Sequence, residues 1–370
     1  MLRIGSVAVV AGFAPAAIGG IPGPAIVHPA AKMNAPVLRL ALSQHYGRPG
    51  DASGYSVILV TGRRTAWVFG GSNPGGPSTP VAARWTGKSL SPSALPAKLT
   101  GFISEAGATS SHDIWAASQF GRYVLHWNGR QWSLVRHFAH GSITGLTVAG
   151  QHSVWVFTTT AGGVHQEGTW HFNGHAWMHP GGLASQINRA SALSGHDIWA
   201  VAVGGSADMI VRFDGKRWHH VQTGRTLAGL RVHDILAESD RDVWVAGNET
   251  AGAGRLVLAH WNGTRWTRIA SKLDAWAGRL AKGRRGGVLL TATPETGTAA
   301  TGSVLSVSTD GWITDAVVRS ARGTGVSDVA EVPDRRMVLV AGGLLTAAGG
   351  NAAFWSGVFP VARPDDDDDD

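Results

Sequence analysis

Eight polar residues fall in segments that interrupt the internal repeat of this chain. Their side chains are carboxylates, imidazoles, guanidinium groups and one amide, which are groups that bind ligands through hydrogen bonds and charge. Binding residues concentrate on loops that a rigid scaffold holds in place, so we predict that these residues form a ligand-binding surface. The eight candidates are His140, His165, Glu167, Arg189, Arg231, Asn248, Glu249 and Glu295.

Three of these residues belong to pairs that could support acid–base chemistry. Glu167 and Glu249 have the residue type of a glycosidase pair, whose carboxyl groups lie about 5 to 10 Å apart across the substrate. His165 with Glu167, or His233 with Asp234, would also suit proton transfer. However, the chain contains no Gly-x-Ser-x-Gly elbow, no His-Glu-x-x-His, no phosphate-binding loop and no calcium-hand spacing. We therefore assign no catalytic residue and expect no metal or cofactor.

The elements that must position these residues come from a repeat. An Asp-(Ile/Val)-Trp phrase recurs, followed by an aromatic-Asn/Asp-Gly-x-x-Trp turn, as in Asp113 to Trp132. Its anchors stand at positions 67, 115, 155, 199, 244, 289 and 339, with steps of 48, 40, 44, 45, 45 and 50 residues. Such a period indicates propeller blades or a helical solenoid. The repeat tryptophans are Trp67, Trp115, Trp155, Trp199 and Trp244, with Trp132, Trp177, Trp218 and Trp266 in the turns.

The local pattern favours strands over helices. Apolar residues form short β-branched and aromatic runs bounded by Gly, Ser, Asn and Asp, for example Val154 to Thr158. Asn-Gly and Asp-Gly pairs between the last two runs of a unit are strong hairpin signals. The sequence therefore predicts an all-β fold, a seven-bladed β-propeller of four-stranded blades over residues 36–360. The seventh unit lacks an outer strand, and we predict that Pro36 to Leu42 supplies it and closes the ring.

The histidines that follow the repeat are predicted to be structural. His126, His171 and His260 occupy one column of the third strand, which Arg84 and Arg212 occupy in other copies. A packing role accounts for such recurrence, whereas catalysis at every repeat does not.

The ends and the charge of the chain bear on its location and partners. An apolar, Ala- and Gly-rich stretch follows Met1, Leu2 and Arg3, so residues 1–30 are predicted to be a secretory signal peptide and a disordered leader. The formal net charge is +7, and because residues 365–370 are all Asp, the rest of the chain carries +13. A basic body favours acidic partners, although lysine and arginine also solvate turns. Residues 361–370 are predicted to be a disordered acidic tail.

The chain has no cysteine, which excludes disulfides, thiol catalysis and zinc sites with Cys ligands. No segment after the leader approaches the roughly 18 to 20 apolar residues that a membrane-spanning helix needs, so none is expected.

The Asp-Ile-Trp-Ala and His-Trp-Asn-Gly-x-x-Trp copies resemble the secreted β-propeller repeat proteins common in actinobacteria. These are related in pattern to galactose-oxidase/kelch-like and tectonin-like propellers. The copper site of galactose oxidase needs a cysteine, which this chain lacks, and only residues 308–312 approach the Asp-box of sialidases. Because tectonin-like proteins are often lectins, the resemblance implies glycan binding as one role.

Together these observations favour a secreted, monomeric, non-catalytic binding protein. Its expected ligand is a glycan, an anionic cell-wall polymer or a secreted protein, with no sequence-specific nucleic-acid motif. Two alternatives stay open because a fold does not dictate a function. One is a polysaccharide-directed hydrolase or lyase with its site over the central channel, and the other is a structural hub that docks another secreted protein.

Overall fold

The computed structural model describes thirteen stretches of the chain. They are residues 39–46, 52–73, 77–159, 168–180, 185–203, 208–252, 254–271, 273–283, 287–294, 302–308, 311–318, 324–346 and 349–358. The predicted leader and acidic tail lie outside the described residues. Within the described residues, no helix is long and apolar enough to cross a membrane.

The described residues form the seven blades of a propeller, as the repeat predicts. Five blades are separate four-stranded antiparallel sheets, and the first and last blades join into one eight-stranded sheet through a parallel bridge between Ala52 and Gly350. Blade 1 contains β2 (Ala52–Gly62), β3 (Thr65–Asn73), β4 (Thr79–Trp85) and β5 (Leu90–Pro92). Blade 2 contains β6 (Ile103–Ser110), β7 (Asp113–Ser118), β8 (Tyr123–Trp127) and β9 (Trp132–His137). Blade 3 contains β10 (Ile143–Gly150), β11 (Ser153–Thr158), β12 (Thr169–Phe172) and β13 (Trp177–Met178).

Blades 4 to 6 repeat this four-stranded order. Blade 4 contains β14 (Ile187–Ser194), β15 (Asp197–Ala202), β16 (Met209–Phe213) and β17 (Trp218–His220). Blade 5 contains β18 (Leu230–Ser239), β19 (Asp242–Glu249), β20 (Leu256–Trp261) and β21 (Trp266–Ala270). Blade 6 contains β22 (Ala275–Lys282), β23 (Val288–Pro294), β24 (Gly302–Ser308) and β25 (Gly311–Val318).

Blade 7 is completed from the other end of the chain. Its own strands are β26 (Thr324–Val332), β27 (Met337–Thr346) and β28 (Gly349–Val358), and β1 (Arg39–Tyr46) pairs antiparallel with β28. An N-terminal strand thus closes the ring, as predicted. The observed strand begins at Arg39 and ends at Tyr46, later than the predicted segment that ends at Leu42, and residues 36–38 lie outside the described residues.

The blade topology creates two faces with different residues. Links between blades and the loops between second and third strands lie on one face, which we call the loop face; the remaining turns lie on the other, the turn face. Each first strand lies next to the central channel and begins at the loop face. The inner strands therefore begin at the channel mouth on the loop face.

A recurring contact on the second strands of blades 2 to 5 stabilises these blades. Trp244 is fully buried, donates from Nε1 to Asp242 Oδ1 over 2.8 Å, and stacks on His260 with ring centroids 4.2 Å apart. His260 Nε2 lies 2.9 Å from the same carboxylate oxygen. In blade 4, Arg212 takes the place of the histidine, binds Asp197 through two contacts of 2.7 Å, and lies over the repeat tryptophan. His126 and His171 stack on the repeat tryptophans of their blades in the same way, so these four members of the column make the packing contacts that the sequence predicts.

The tryptophans also join neighbouring blades. Trp67 of blade 1 packs against Trp127 and Trp132 of blade 2, with ring centroids 5.0 and 5.4 Å apart. Trp155 of blade 3 makes the same kind of contact with Phe213 and Trp218 of blade 4, at 4.8 and 6.1 Å. Large aromatic surfaces at fixed geometry thus fill the wedges between blades.

The Asn-Gly turns depend on one backbone conformation. Gly129 has φ of 90°, and a Cβ built at Gly129 would lie 2.7 Å from a ring carbon of His112. Asn128 Oδ1 accepts hydrogen bonds from the backbone N–H groups of Arg130 and Gln131, both over 3.0 Å. Only glycine satisfies both the left-handed conformation and the close approach at this position.

The buried tryptophan column yields a stability prediction. Replacing Trp244 with Ala removes a fully buried indole and its stacking contact with His260, and we expect a loss of about 3–5 kcal/mol in the free energy of unfolding. Urea denaturation followed by circular dichroism measures this loss. Trp276→Ala is the matched control, because Trp276 is 48% exposed and its loss should cost far less. Equal losses in the two variants would contradict the packing role of Trp244.

Candidate functional site

The inner strands share a bulge near the channel mouth. Each of the seven has a register shift close to its first residue, for example between Ile103 and Glu105 and between Val326 and Asp328. A bulge places an extra residue in one strand and redirects its side chains. Polar or small residues occupy these bulges, namely Ser56, Ser104, Thr144, Asn188, His233, Gly278 with Arg279, and Ser327.

Five charged side chains in or directly after the bulges meet in the channel. We call Glu105, Arg189, Asp234, Arg279 and Asp328 the axial cluster. Glu105 Oε1 accepts from Arg189 Nη1 and from Arg279 Nη2, each over 2.9 Å. Asp234 Oδ1 lies 3.9 Å from both Arg189 Nε and Arg279 Nη1. The five residues come from blades 2, 4, 5, 6 and 7, so ion pairs cross the channel itself.

Backbone contacts extend the axial cluster to the two remaining blades. Arg189 Nη1 also donates to Thr144 O of blade 3 over 2.9 Å, and Asp328 Oδ2 accepts from Ile58 N–H of blade 1 over 2.9 Å. Asp234 Oδ2 accepts from Leu280 N–H of the next blade over 2.7 Å. Blades 2 to 6 therefore share one set of ion pairs and charge-assisted hydrogen bonds, which are stronger than neutral hydrogen bonds. Asp328 in turn ties blade 7 to blade 1 through the Ile58 N–H group.

Burial and neighbouring charges shift the pKa values of three side chains in the axial cluster. Burial raises the pKa of Asp328 to about 7, although Arg279 and the backbone N–H groups of Ile58 and Val329 lower it. Burial also raises the pKa of Asp234, against the opposing effect of Arg279 and Arg189. Burial alone would lower the pKa of Arg279, but Glu105 and Asp234 outweigh it, so the pKa is raised. Two guanidinium groups thus face three carboxyl groups. With fewer positive than negative partners, one carboxyl group, Asp328, keeps its proton to a higher pH than an ordinary Asp does.

A second group of side chains lies at the channel mouth in blades 4 to 6. We call Asp208, Arg231, His233 and Trp276 the rim. Trp276, from the inner strand of blade 6, is exposed beside His233 of blade 5, and the two rings are perpendicular with centroids 6.1 Å apart. Arg231 Nη1 lies 3.7 Å from Asp208 Oδ1. The rim therefore combines an aromatic surface with groups of both charges.

Two buried polar atoms of the rim lack hydrogen-bond partners among the described residues. They are His233 Nε2 and Asp208 Oδ1. The second oxygen, Asp208 Oδ2, accepts from Val232 N–H over 2.9 Å, which anchors the carboxylate. Burial lowers the pKa of His233; the nearby Asp208 raises it, while Arg231 and Arg189 lower it further. His233 thus favours its neutral form.

The structure corrects the location of four predicted site residues. Arg189 and Arg231 are in inner strands β14 and β18, and not in the links between blades. Asn248 and Glu249 end strand β19, because the ladder continues through the pairs Arg231↔Asn248 and Leu230↔Glu249. Backbone pairing extends further toward the loop face than the apolar pattern indicates. Of these residues, Arg189 joins the axial cluster and Arg231 joins the rim.

Of the other six predicted residues, the structure describes three. Asn248 is buried: its Nδ2 donates to Gly254 O and Ala275 O, and its Oδ1 accepts from Ala277 N–H, which ties blade 5 to blade 6. Glu249 Oε1 accepts from Arg268 Nη2 over 2.7 Å. His140 is exposed in the link between blades 2 and 3. The remaining three, His165, Glu167 and Glu295, lie outside the described residues.

Sequence reasoning missed most of the residues that converge at the channel. Glu105, Arg279 and Asp328, with Asp208 and Trp276, were not singled out, because each is surrounded by ordinary strand residues. One signal was present: each inner strand has a polar or small residue directly after its first apolar residues, in register with the repeat. Among the described residues, no group of three or more His, Asp or Glu side chains is arranged to hold a metal ion.

Comparison with known proteins supports the fold. No protein-family model and no curated protein matches the sequence. Among solved structures, YCF48 bound to a D1 peptide aligns with a TM-score of 0.60 at 14% identity, covering 91% of this chain and 99% of that one. A catalytically inactive His-to-Ala variant of virginiamycin B lyase from Staphylococcus aureus, with quinupristin, aligns with a TM-score of 0.59 at 10% identity, covering 86% and 99%. At such identities the likeness shows the propeller fold alone.

The raised pKa of Asp328 predicts how stability depends on pH. The folded protein holds a proton on Asp328 up to about pH 7, whereas an ordinary Asp with a pKa of 3.8 releases it earlier. Since the folded state then binds more protons, this group's contribution to the free energy of unfolding is full below about pH 4 and is lost as pH rises to about 7. Asp328→Asn cannot titrate, and we expect it to lack this decline.

Urea midpoints measured at intervals between pH 4 and pH 8 test this expectation. Asp274→Asn serves as the control, because Asp274 is an exposed carboxylate away from the axial cluster. The same pH dependence in wild type and Asp328→Asn would show that Asp328 does not titrate in this range.

Proposed function

We propose that this chain is a secreted, non-catalytic propeller that recognises a cell-surface polymer, and a glycan before other polymers, on its loop face. The rim is the observation that supports this best. His233 Nε2 and Asp208 Oδ1 lack hydrogen-bond partners among the described residues, although Arg231 forms an ion pair with Asp208, and both residues lie near an exposed indole. Buried polar atoms without partners cost free energy, so a ligand that supplies hydrogen bonds gains affinity at this place.

The axial cluster supports binding over catalysis. Its carboxylates and guanidinium groups are bonded to one another and to backbone groups, which leaves little capacity for a reacting substrate. A scaffold whose charges are mutually satisfied holds the rim rigidly, and rigid sites lose less entropy on binding. The YCF48 structure contains a peptide on the same fold, so a segment of another protein remains among the ligands to be tested.

A sedimentation assay tests the proposal. The full chain is mixed with insoluble bacterial cell wall, with insoluble cellulose and with chitin, and the bound fraction is measured. We expect retention on at least one polymer, and a loss of about tenfold or more in affinity for the double variant His140→Ala/Arg231→Ala, because both residues lie on the loop face.

The matched control removes charge from the opposite face. Arg130→Ala/Arg265→Ala alters two exposed turn-face arginines and should leave retention unchanged. The proposal fails if no polymer retains the protein, or if the turn-face variant loses binding as strongly as the loop-face variant.

One observation favours a second candidate, a hydrolase or lyase acting over the channel. His233 is held neutral by burial, and its Nε2 is not engaged by another described residue. A neutral imidazole near the channel mouth is suited to remove a proton from water or from a substrate carbon. Glu249 is less suited, because Arg268 already binds its carboxylate.

Product analysis after incubation with polysaccharides separates the two candidates. An enzyme that uses His233 as its base would lose turnover in His233→Ala and retain it in His140→Ala. Because the pKa of His233 is lowered, its rate should hold as pH falls through about 6.5, where an ordinary histidine becomes protonated. Turnover that survives His233→Ala would exclude this residue as the base.

A further inference from the structure

The rim contains an aromatic residue in an unusual place. Inner strands of this propeller present mostly small or polar side chains at the channel mouth, yet Trp276 on β22 is 48% exposed. Its neighbours Ala275 and Ala277 are buried, so the strand alternation directs the indole away from the core. The perpendicular His233 ring limits the indole on one side and leaves a bounded aromatic surface.

Beside this surface lies the Asp208 carboxylate, which accepts a hydrogen bond from the described residues through only one of its two oxygens. Asp208 is 6% exposed, and the hydrogen bond from Val232 N–H fixes one oxygen. The other oxygen has no hydrogen bond among the described residues, and its nearest cation, Arg231, stands at 3.7 Å. Arg231 itself is exposed, so its guanidinium group can donate to a ligand. Arg231 and His233 lie on the same strand, two residues apart, with His233 in its bulge.

The chemistry of these groups selects a particular kind of ligand. Asp208 Oδ1 requires a donor, whereas Arg231 provides donors, so the ligand must donate and accept at adjacent positions. Neighbouring hydroxyl groups do both. A phosphate or carboxylate would accept from Arg231 but be repelled by Asp208. The indole offers a flat apolar surface, which suits the C–H face of a pyranose.

We infer that Trp276, His233, Asp208 and Arg231 form a subsite for one pyranose ring of a neutral saccharide. The sugar ring stacks on Trp276, one hydroxyl donates to Asp208 Oδ1, and its neighbour accepts from Arg231. His233 Nε2 accepts from or donates to a third hydroxyl. This assignment rests on the proposed function, since it places the ligand of the loop face at the rim and names its class.

Isothermal titration with defined oligosaccharides tests the subsite. The probes are cellotetraose, the tetramer of N-acetylglucosamine, xylotetraose and, as an anionic comparison, the tetramer of galacturonic acid. We expect at least one neutral tetramer to bind, and the galacturonate tetramer to bind more weakly. Trp276→Ala should weaken binding about tenfold or more, Trp276→Phe should weaken it less, and Asp208→Asn should also weaken it.

Phe120→Ala is the control, because Phe120 is also an exposed aromatic residue on the loop face. Phe120 is 66% exposed in the loop between β7 and β8 of blade 2, on the loop face but in another sector. Phe120→Ala should bind as the wild type does. Thermal unfolding of each variant shows whether it is folded, and Trp276→Phe keeps the test valid if the alanine variant is not.

The outcomes separate this inference from the proposed function. If polymers are retained but no neutral tetramer binds, or if Trp276→Ala binds as well as wild type, the subsite is wrong and the proposed function stands. Preference for the galacturonate tetramer overturns the neutral class. An equal loss in Phe120→Ala overturns the placement at the rim. If neither polymers nor tetramers bind, both proposals fail together.

Discussion

The ring depends on charged groups that cross its axis. Seven blades packed only by their sides would leave an open channel lined by backbone and bulged residues. Here Glu105 accepts from two arginines of distant blades, and the two bulge carboxylates Asp234 and Asp328 accept from the backbone of the following blade. Because removing one partner would leave an unpaired buried charge, these bonds hold the blades in one arrangement.

Rigidity at the axis explains why the rim can keep polar atoms without partners. Asp208 and His233 are positioned by backbone and strand geometry and not by mutual hydrogen bonds. A flexible mouth would let these groups turn to water or to each other. The Val232 N–H group fixes Asp208 and the inner strand fixes His233, so Asp208 Oδ1 and His233 Nε2 stay buried without a hydrogen-bond partner among the described residues.

Much of the fold was predictable from local residues. Trp anchors, Asn-Gly turns and β-branched runs recur in register, so strand type, blade number and the role of the His/Arg column followed from the sequence. Ring closure by an N-terminal strand was also predicted, though the pairing segment, Arg39–Tyr46, ends four residues later than expected. The shift arises because β1 pairs with β28, a partner whose extent was not evident from the sequence.

The candidate site was predictable only in part, since of the five proposed residues that the structure describes, only Arg189 and Arg231 reach the channel. The repeat encodes the structure of a single blade, because the packing and turn contacts within a blade join residues that are near in sequence. Contacts across the axis join residues as far apart as Glu105 and Arg279, and no local pattern encodes them. The sequence alone thus determined the blades, whereas the tertiary structure decided which side chains face one another across the channel.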